Sequence, residues 1–412
     1  MEYLPRNLRT QLEVALSDTP VVCLLGPRQC GKSTLARQGE ATRRYINLDD
    51  GDLLRLALAD PKGFIDELPN KVTIDEIQRA PELMLAIKRN VDADRQPGRF
   101  LLTGSANLLQ LPRLADSLAG RMACLYLHPF TESEKTGAAG NFLTDWMTGR
   151  IKPELTSSPR PAPSRLPGIL VAGGYPEVMG RTVSRAREWQ RQYLGSIIER
   201  DIRDVAEVKQ GGDVARLLAY LSHQTAQLLN VSAVANALGH TRPTIDRYLA
   251  LLEKLFLIRV LPAWHSNRSK RLVKAPKLHV RDSGLATTLS DLSATQWNEE
   301  RGRFGHVLES FVIQQLVAMG DWSELAPSFW HYRDKDQVEV DCVIEVSGKV
   351  WGVEVKAAAS ISPTDGKGLL RLAEIAGDRF QGGIVFYDGP SVIRLNRRDD
   401  LLAVPLAKLW EM

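Results

Sequence analysis

The sequence predicts an α/β protein with two separate α/β parts and a mainly helical stretch between them. Three observations carry this. A short apolar run near the start leads straight into a glycine-rich loop and a helix-forming segment. Two short helical patterns meet across a glycine near residue 239. Two alternating strand patterns near residues 340 and 353 place charged residues at every second position.

At 412 residues the chain is long enough for two or three domains, at roughly 150 residues each. Hydrophobic residues make up 44% and charged residues 25%, the balance of an ordinary globular protein that buries its own cores. Cys23, Cys30, Cys124 and Cys342 are scattered, which argues against a zinc ribbon or a secreted disulfide scaffold. No apolar run approaches a membrane span of roughly 18 residues, and the first residues lack the apolar stretch of a signal peptide. A cytoplasmic protein is expected.

The first strand is Pro20–Leu25. It continues into Gly26-Pro27-Arg28-Gln29-Cys30-Gly31-Lys32-Ser33-Thr34, a G-x-x-x-x-G-K-S loop. Glycines let backbone amides curl around phosphate oxygens. Lys32 reaches the β- and γ-phosphates, and Ser33 offers a hydroxyl to Mg²⁺. The helix that follows turns its positive end to the phosphates. Gly26 through Thr34 are therefore the ATP-binding candidates, with ATP and Mg²⁺ as cofactors.

Hydrolysis needs an acid at the end of another buried strand. Lys71–Glu76 supplies it. Asp75 is placed to hold the Mg²⁺ shell, and Glu76 to polarise water as a general base. The next strand, Arg99–Asn107, ends in polar residues. Ser105 and Asn107 either sense the γ-phosphate there or cap a following helix. Arg121 is a candidate arginine finger, in cis or from a neighbour, with a surface ion pair as the alternative.

These segments resemble a large prokaryotic family of AAA-type ATP-binding proteins that carry a C-terminal domain of unknown function, number 4143, which is restriction-endonuclease-like. The resemblance rests on the loop above, Tyr45–Asp50, Ile74–Gln78, Leu102–Ser105, Ala119–Arg121 and Gly173–Glu177. Cys30 departs from it, standing where a small aliphatic residue is common. The resemblance implies an AAA+ core, a helical region, a winged helix and a nuclease-like end. The corresponding segments are 1–130 for the ATPase, 131–210 for a helical region with a Pro-rich linker, 211–275 for a winged-helix-like part and 276–412 for the nuclease-like part.

Pro153, Pro159, Pro161, Pro163 and Pro167 forbid regular structure in the linker, and the residues from about Ser184 to Val208 are helix-prone. Helices are expected over Val214–Leu221, over Val231–Leu238 ending at Gly239, and from a Thr241 cap to Leu255, with a strand over Phe256–Val260. The segment 213–275 holds nine cations and three anions, +6, which leaves −2 for the rest of a +4 chain. That local excess suggests a polyanion such as DNA. Arg242, Thr244, Arg247 and Tyr248 are the contact candidates; packing between domains is the other use of such a part.

The last third predicts a helix over Arg303–Met319 with Glu309 inside it, a strand pair over Gln337–Val346 and Lys349–Lys356, a helix near Leu369–Ala376, and a strand over Gly383–Tyr387. Glu354 and Lys356 share a strand face. Convergence of Glu309, Asp341, Glu354 and Lys356, with Asp341 and Glu354 as metal ligands, resembles a PD-(D/E)xK nuclease core, although Val340 replaces the usual proline. The alternative is a nuclease-like domain that binds protein or nucleic acid without cutting. His331 is expected to pack beside a strand. Self-association is a further possible partnership.

Overall fold

The computed structural model describes residues 3–38, 42–105, 118, 120–138, 140–156, 165–201, 211–267, 269, 271 and 274–411. Asn107, Ala119, Arg268 and Lys270 lie outside these, as do residues 157–164 of the Pro-rich segment and 202–210 of the helix-prone one. The chain divides into two compact units: residues 1–130 with 254–256, and residues 131–253 with 257–412.

The first unit contains α1 (Arg9–Asp18), β1 (Val21–Leu25), α2 (Lys32–Arg37), β2 (Arg44–Asn47), α3 (Gly51–Ala59), α4 (Pro61–Asp66), β3 (Val72–Asp75), α5 (Leu83–Ala93), β4 (Phe100–Gly104) and β5 (Met122–Tyr126). The strands form a parallel sheet in the order β2-β3-β4-β1-β5. Every residue of β1, β3 and β4 is buried. That follows from their near-continuous apolar runs, which suit strands covered on both faces. Parallel pairing brings the carboxyl ends of β1, β3 and β4 to one edge of the sheet, where the glycine-rich loop, Asp75 and Ser105 emerge.

The second unit begins with α6 (Glu132–Thr136), α7 (Phe142–Met147), α8 (Leu166–Ala172) and α9 (Val183–Ser196). Next come α10 (Gly211–Ser222), β6 (Gln227–Leu228), α11 (Val231–Leu238), α12 (Arg242–Lys254), β7 (Ile258–Leu261) and β8 (Lys277–Val280), whose strands pair antiparallel as β6-β8-β7. The strand expected from Phe256 starts two residues later, because Phe256 has φ 60° and turns the chain first.

Then follow α13 (Ser283–Leu289), α14 (Arg301–Asp321), β9 (Ser328–Arg333), β10 (Glu339–Val346), β11 (Lys349–Val355), α15 (Lys367–Ala376), β12 (Phe380–Tyr387), β13 (Ile393–Arg394) and β14 (Leu401–Pro405). A six-stranded sheet has the order β13-β14-β12-β11-β10-β9. β10 and β11 form the antiparallel hairpin, closed at Gly348 with φ 83°, and β12 joins β11 in parallel through α15. α14 carries Phe304, Leu308, Phe311, Val312 and Leu316 into the core shared with Ile344, Val353 and Phe386. Among the described residues no helix is long and apolar enough to cross a membrane.

Candidate functional site

In the first unit the glycine-rich loop wraps from β1 into α2. Gly31, the residue before α2, has φ 100°, a conformation open to glycine at low cost. A Cβ at Gly26 would stand 2.1 Å from the Leu127 carbonyl oxygen, so only glycine lets the loop lie this close to the chain beyond β5. The loop is pinned from behind. Arg6 donates to the Cys30 carbonyl at 2.8 Å and to the His128 carbonyl at 2.6 Å, and its guanidinium lies 4.4 Å from the Phe130 ring centroid. Cys30 is buried and donates its thiol to the Leu127 carbonyl at 3.4 Å. It acts as a small packing residue that a bulkier side chain would disrupt.

Lys32 is 4% exposed. Its Nζ donates to the carbonyls of Gly26 and Pro27 at 3.0 and 2.8 Å, so the ammonium is folded over the mouth of the loop, where a phosphate would take its place among the acceptors. The pairing of Ile74 with Leu102 carries Asp75 up beside Thr103. Asp75 accepts from the hydroxyls of Thr103 and Tyr45, one on each carboxylate oxygen. Tyr45 is also flanked by Ser33 and Arg37, and its hydroxyl is pushed up to about 12, first by burial and then by Asp75. The Ser33 hydroxyl and the Asp75 carboxylate thus both lie beside the Tyr45 hydroxyl. This pair of hard oxygen donors fits a Mg²⁺ ion.

Glu76 stands next to Asp75 in the left-handed region, φ 59° and ψ 44°, a conformation that costs a non-glycine residue about 1–2 kcal/mol. Thr103 stabilises it by accepting from the Glu76 amide at 3.2 Å. One threonine hydroxyl therefore orients both acids. The Glu76 carboxylate accepts from Ser105 at 3.2 Å and from Gln78, and Gln78 also donates to Ser105 at 2.9 Å. The arrangement holds Glu76 at the carboxyl edge of the sheet beside the loop.

Arg121 is elsewhere. It precedes β5, its backbone carbonyl accepts from the Val21 amide at the amino end of β1, and its guanidinium pairs with Asp92. At about 3.3 Å per residue the length of β1 separates it from the loop by more than 15 Å. The in-cis finger role is corrected accordingly: Arg121 does not reach the loop of its own chain.

The second candidate site lies in the larger unit. Glu309 on α14, Asp341 on β10, Glu354 on β11 and the following Lys356 line one open cleft of about 470 Å³. Asp341 accepts from the Val355 amide at 2.9 Å through Oδ2, which ties the two hairpin strands together where β10 begins and β11 ends. Lys356 Nζ is 3.5 Å from Glu354 Oε2. Gly368, at the start of α15, admits the close approach: a Cβ there would stand 2.3 Å from Glu354 Oε1 and 2.1 Å from the Glu339 carbonyl oxygen.

A residue outside the expected set takes the middle of this cluster. Lys277 on β8 extends its Nζ to 2.9 Å from Glu309, 2.8 Å from Glu339 and 3.4 Å from Asp341. Burial opposes its charge, yet the three carboxylates outweigh burial and hold the ammonium above its ordinary pKa. Glu309 is pushed well above the carboxylate range by burial and then by Asp341, against the pull of Lys277. Glu354 is raised likewise by burial and Asp341, against Lys356. Among the described residues no three carboxylate, imidazole or thiol side chains are arranged to share a metal ion. Asp341 and Glu354, the expected metal ligands, line the same cleft and are held here by protein groups, Asp341 by Lys277 and the Val355 amide and Glu354 by Lys356. One Asp341 oxygen takes the Val355 amide and the other faces Lys277.

On α12, Arg242 is exposed and lies 3.8 Å from Asp246, and Arg247 is exposed. Thr244 is half-buried beside Thr241, which caps the helix. Tyr248 is corrected as a contact candidate: it is 3% exposed, on the helix face shared with Ile245, Leu249 and Leu252, and it meets the His240 ring edge-on. The basic stretch is partly used internally as well. Arg271 is 7% exposed and pairs with Glu345 at 2.8 Å, and Lys274 donates to the Arg333 carbonyl. His331 lies within β9, with Nε2 at 3.0 Å from the Ala275 carbonyl, and burial followed by Lys277 pushes it down to about 4.

Sequence reasoning passed over Arg6, Tyr45, Gln78 and Thr103 around the first site and Lys277 and Glu339 at the second. Lys277 had a signal: a lysine followed by Leu278, His279 and Val280 is a charge at the head of an otherwise apolar strand. Such a strand implies a buried partner.

Comparison with known proteins matches three segments of the chain. Residues 18–136 match the family described as an AAA domain, 164–296 a domain of unknown function (DUF8612), and 304–409 a domain of unknown function (DUF4143). The uncharacterized proteins Rv2008c of Mycobacterium tuberculosis and Mb2031c of Mycobacterium bovis are each 30% identical over 406 residues, covering 97% of this chain and 83% of theirs. Among solved structures, the Walker-type ATPase PABY2304 of Pyrococcus abyssi is similar over 70% of this chain and 96% of its own, at 16% identity and a TM-score of 0.40. With a nucleotide-binding AAA-type ATPase core at one end and the DUF4143 domain at the other, the chain belongs to the family of these two mycobacterial proteins.

Proposed function

We propose that this protein is a Mg²⁺-dependent ATPase whose ATP cycle drives or gates a DNA-directed, restriction-endonuclease-like C-terminal part. The observation that carries the ATPase reading is the meeting of Lys32, Ser33, Asp75 and Glu76 at one sheet edge, each oriented by a named partner. The loop amides from Gly26 to Thr34 cradle the phosphates, and Arg28 and Gln29 present their backbone there. Lys32 leaves its two carbonyl acceptors for phosphate oxygen. Ser33 and Asp75 hold Mg²⁺, which when bound offsets the charge on the β- and γ-phosphate oxygens. Glu76 takes the proton of the attacking water. Ser105 and Gln78 hold that carboxylate until the γ-phosphate oxygens compete for these donors. Arg121 serves the loop of a neighbouring copy, which makes self-association part of the proposal.

The order α10, β6, α11, α12, β7, β8 supports a winged helix over 211–275 that extends to Val280. Arg242, Thr244 and Arg247 are the DNA-contact set that remains once Tyr248 is buried. The hairpin β10–β11, α15 and parallel β12 support a PD-(D/E)xK-like fold for 276–412, with Glu309, Asp341, Glu354 and Lys356 in its cleft. The second reading, binding of DNA or protein without cleavage, is favoured by one observation: the Lys277 ammonium at the centre of the acids.

Retention of labelled ATP with Mg²⁺ by the intact chain and its loss in Lys32→Ala tests the first part. ATP turnover measured with and without DNA across salt concentrations tests the second. Phosphate contacts by Arg242 and Arg247 weaken steeply with salt, and each arginine removed lowers the slope by about one. Plasmid cleavage that Asp341→Ala and Lys356→Ala both lose supports the nuclease. No cleavage beside intact ATPase supports the second reading.

A further inference from the structure

The fold around Glu309, Asp341, Glu354 and Lys356 implies a divalent metal, and the residues present do not fit one. We infer that Lys277 is the resident cation of this centre: its ammonium sits where a metal would, keeps divalent ions out, and leaves a latent metal site behind it. The inference does not depend on whether this part of the chain cuts DNA.

The geometry is built from three elements. Lys277 and His279 point to the same face of β8, since strand side chains alternate, and that face meets α14. There Glu309 takes the Lys277 ammonium at 2.9 Å and Ser310 takes His279 Nδ1 at 2.9 Å. β10 brings Glu339 and Asp341 to the other side of the same ammonium, at 2.8 and 3.4 Å. The lysine side chain is 2% exposed. Its anchor is firm, because Lys277 pairs with Leu228 on one side of β8 and with Leu261 on the other.

An ammonium and a divalent ion compete for the same oxygens, and like charges a few ångströms apart in a buried place repel strongly. The lysine is tethered, so it has no association cost, whereas a metal ion must shed water and find the acids free. Arg333 adds a further cation against Glu339 at 3.2 Å. With Lys277 seated, Glu309 and Asp341 have lost the charge that would attract a metal. Since Lys277 comes from the central strand of the β6-β8-β7 sheet, a shift of that sheet relative to α14 would be the event that opens the centre.

The test uses the full chain without nucleotide, on an Asp75→Asn background so that the ATPase site contributes no metal. Mn²⁺ is the probe, read by electron paramagnetic resonance titration and by thermal melting with Mn²⁺ or with chelator. The parent chain is expected to hold no Mn²⁺ that Asp341→Asn removes, and its melting temperature is expected to ignore the chelator. Lys277→Met is expected to gain about one Mn²⁺ per chain, bound by oxygen ligands, to melt higher with it, and to lose it again with Asp341→Asn. If the methionine variant does not fold, Lys277→Gln, with an uncharged polar end on a shorter stem, is read in the same way. An Asp341-dependent Mn²⁺ in the parent chain overturns the inference. So does a folded Lys277 variant that gains none.

Discussion

The two acidic sites of this protein treat their carboxylates in opposite ways. At the carboxyl edge of the parallel sheet, Asp75 is held by two hydroxyls, Thr103 and Tyr45, while the nearby Lys32 binds backbone carbonyls. Neutral donors orient that carboxylate and leave its charge for a cation that arrives with the nucleotide. In the cleft beside β10 and β11, Glu309, Glu339 and Asp341 are held by an ammonium, Lys277. Here the ammonium both orients and offsets the charge of Glu309 and Glu339, and for Asp341 it shares the orienting role with the Val355 amide.

The comparison predicts its own failures, and the largest concerns Glu76. Glu76→Gln keeps ATP binding and lowers turnover by about 10²–10⁴-fold, the usual worth of a general base. Turnover equal to wild type, measured by phosphate release, would take Glu76 out of the mechanism. Next, Lys277→Met leaves three carboxylates facing one another and costs about 3–5 kcal/mol in chemical denaturation. Adding Glu309→Gln recovers part of that loss. A loss below about 1 kcal/mol, the scale of a surface pair, would mean that the ammonium is no more than decoration.

A pH series sharpens the contrast further. His331 is held neutral down to about 4, against 6.5 when unperturbed, by burial and then by Lys277. A depressed imidazole lets the unfolded chain take up protons first. This group therefore contributes stability that is whole above pH 6.5 and is lost as pH falls toward 4, by about 3 kcal/mol at most. His331→Asn should flatten the fall in that window, and an unchanged acid limb in urea titrations would contradict it. The smallest effects belong to the hydroxyls. Tyr45→Phe and Thr103→Val each remove a hydrogen bond to a carboxylate, about 1.5–3 kcal/mol if fully felt. They should weaken the Mg²⁺ dependence of turnover by about tenfold and leave nucleotide binding without metal nearly unchanged. Loss of nucleotide binding in both would show that these hydroxyls support the loop instead.

The glycine-rich loop was readable because its chemistry is local: strand, loop and helix occupy eighteen consecutive residues from Pro20 to Arg37, and each type is demanded by backbone geometry. Asp75 and Glu76 were readable for the same reason, at the end of a short apolar run. Arg121 and Tyr248 misled because their roles depend on where a strand starts and which face of a helix is buried. Arg121 lies at the wrong end of β5, and Tyr248 lies on the face of Ile245 and Leu249.

By itself the sequence determined the elements that periodicity and turn residues specify, and with them the phosphate loop, the acids that follow it, and the strand pair bearing Asp341, Glu354 and Lys356. Only the tertiary structure decided which charge neutralises which. Lys277 stands 32 residues from Glu309 and 64 from Asp341 along the chain, and no local pattern links positions that far apart. They meet because β8, α14 and β10 pack against one another, and burial then makes the nearest opposite charge decisive.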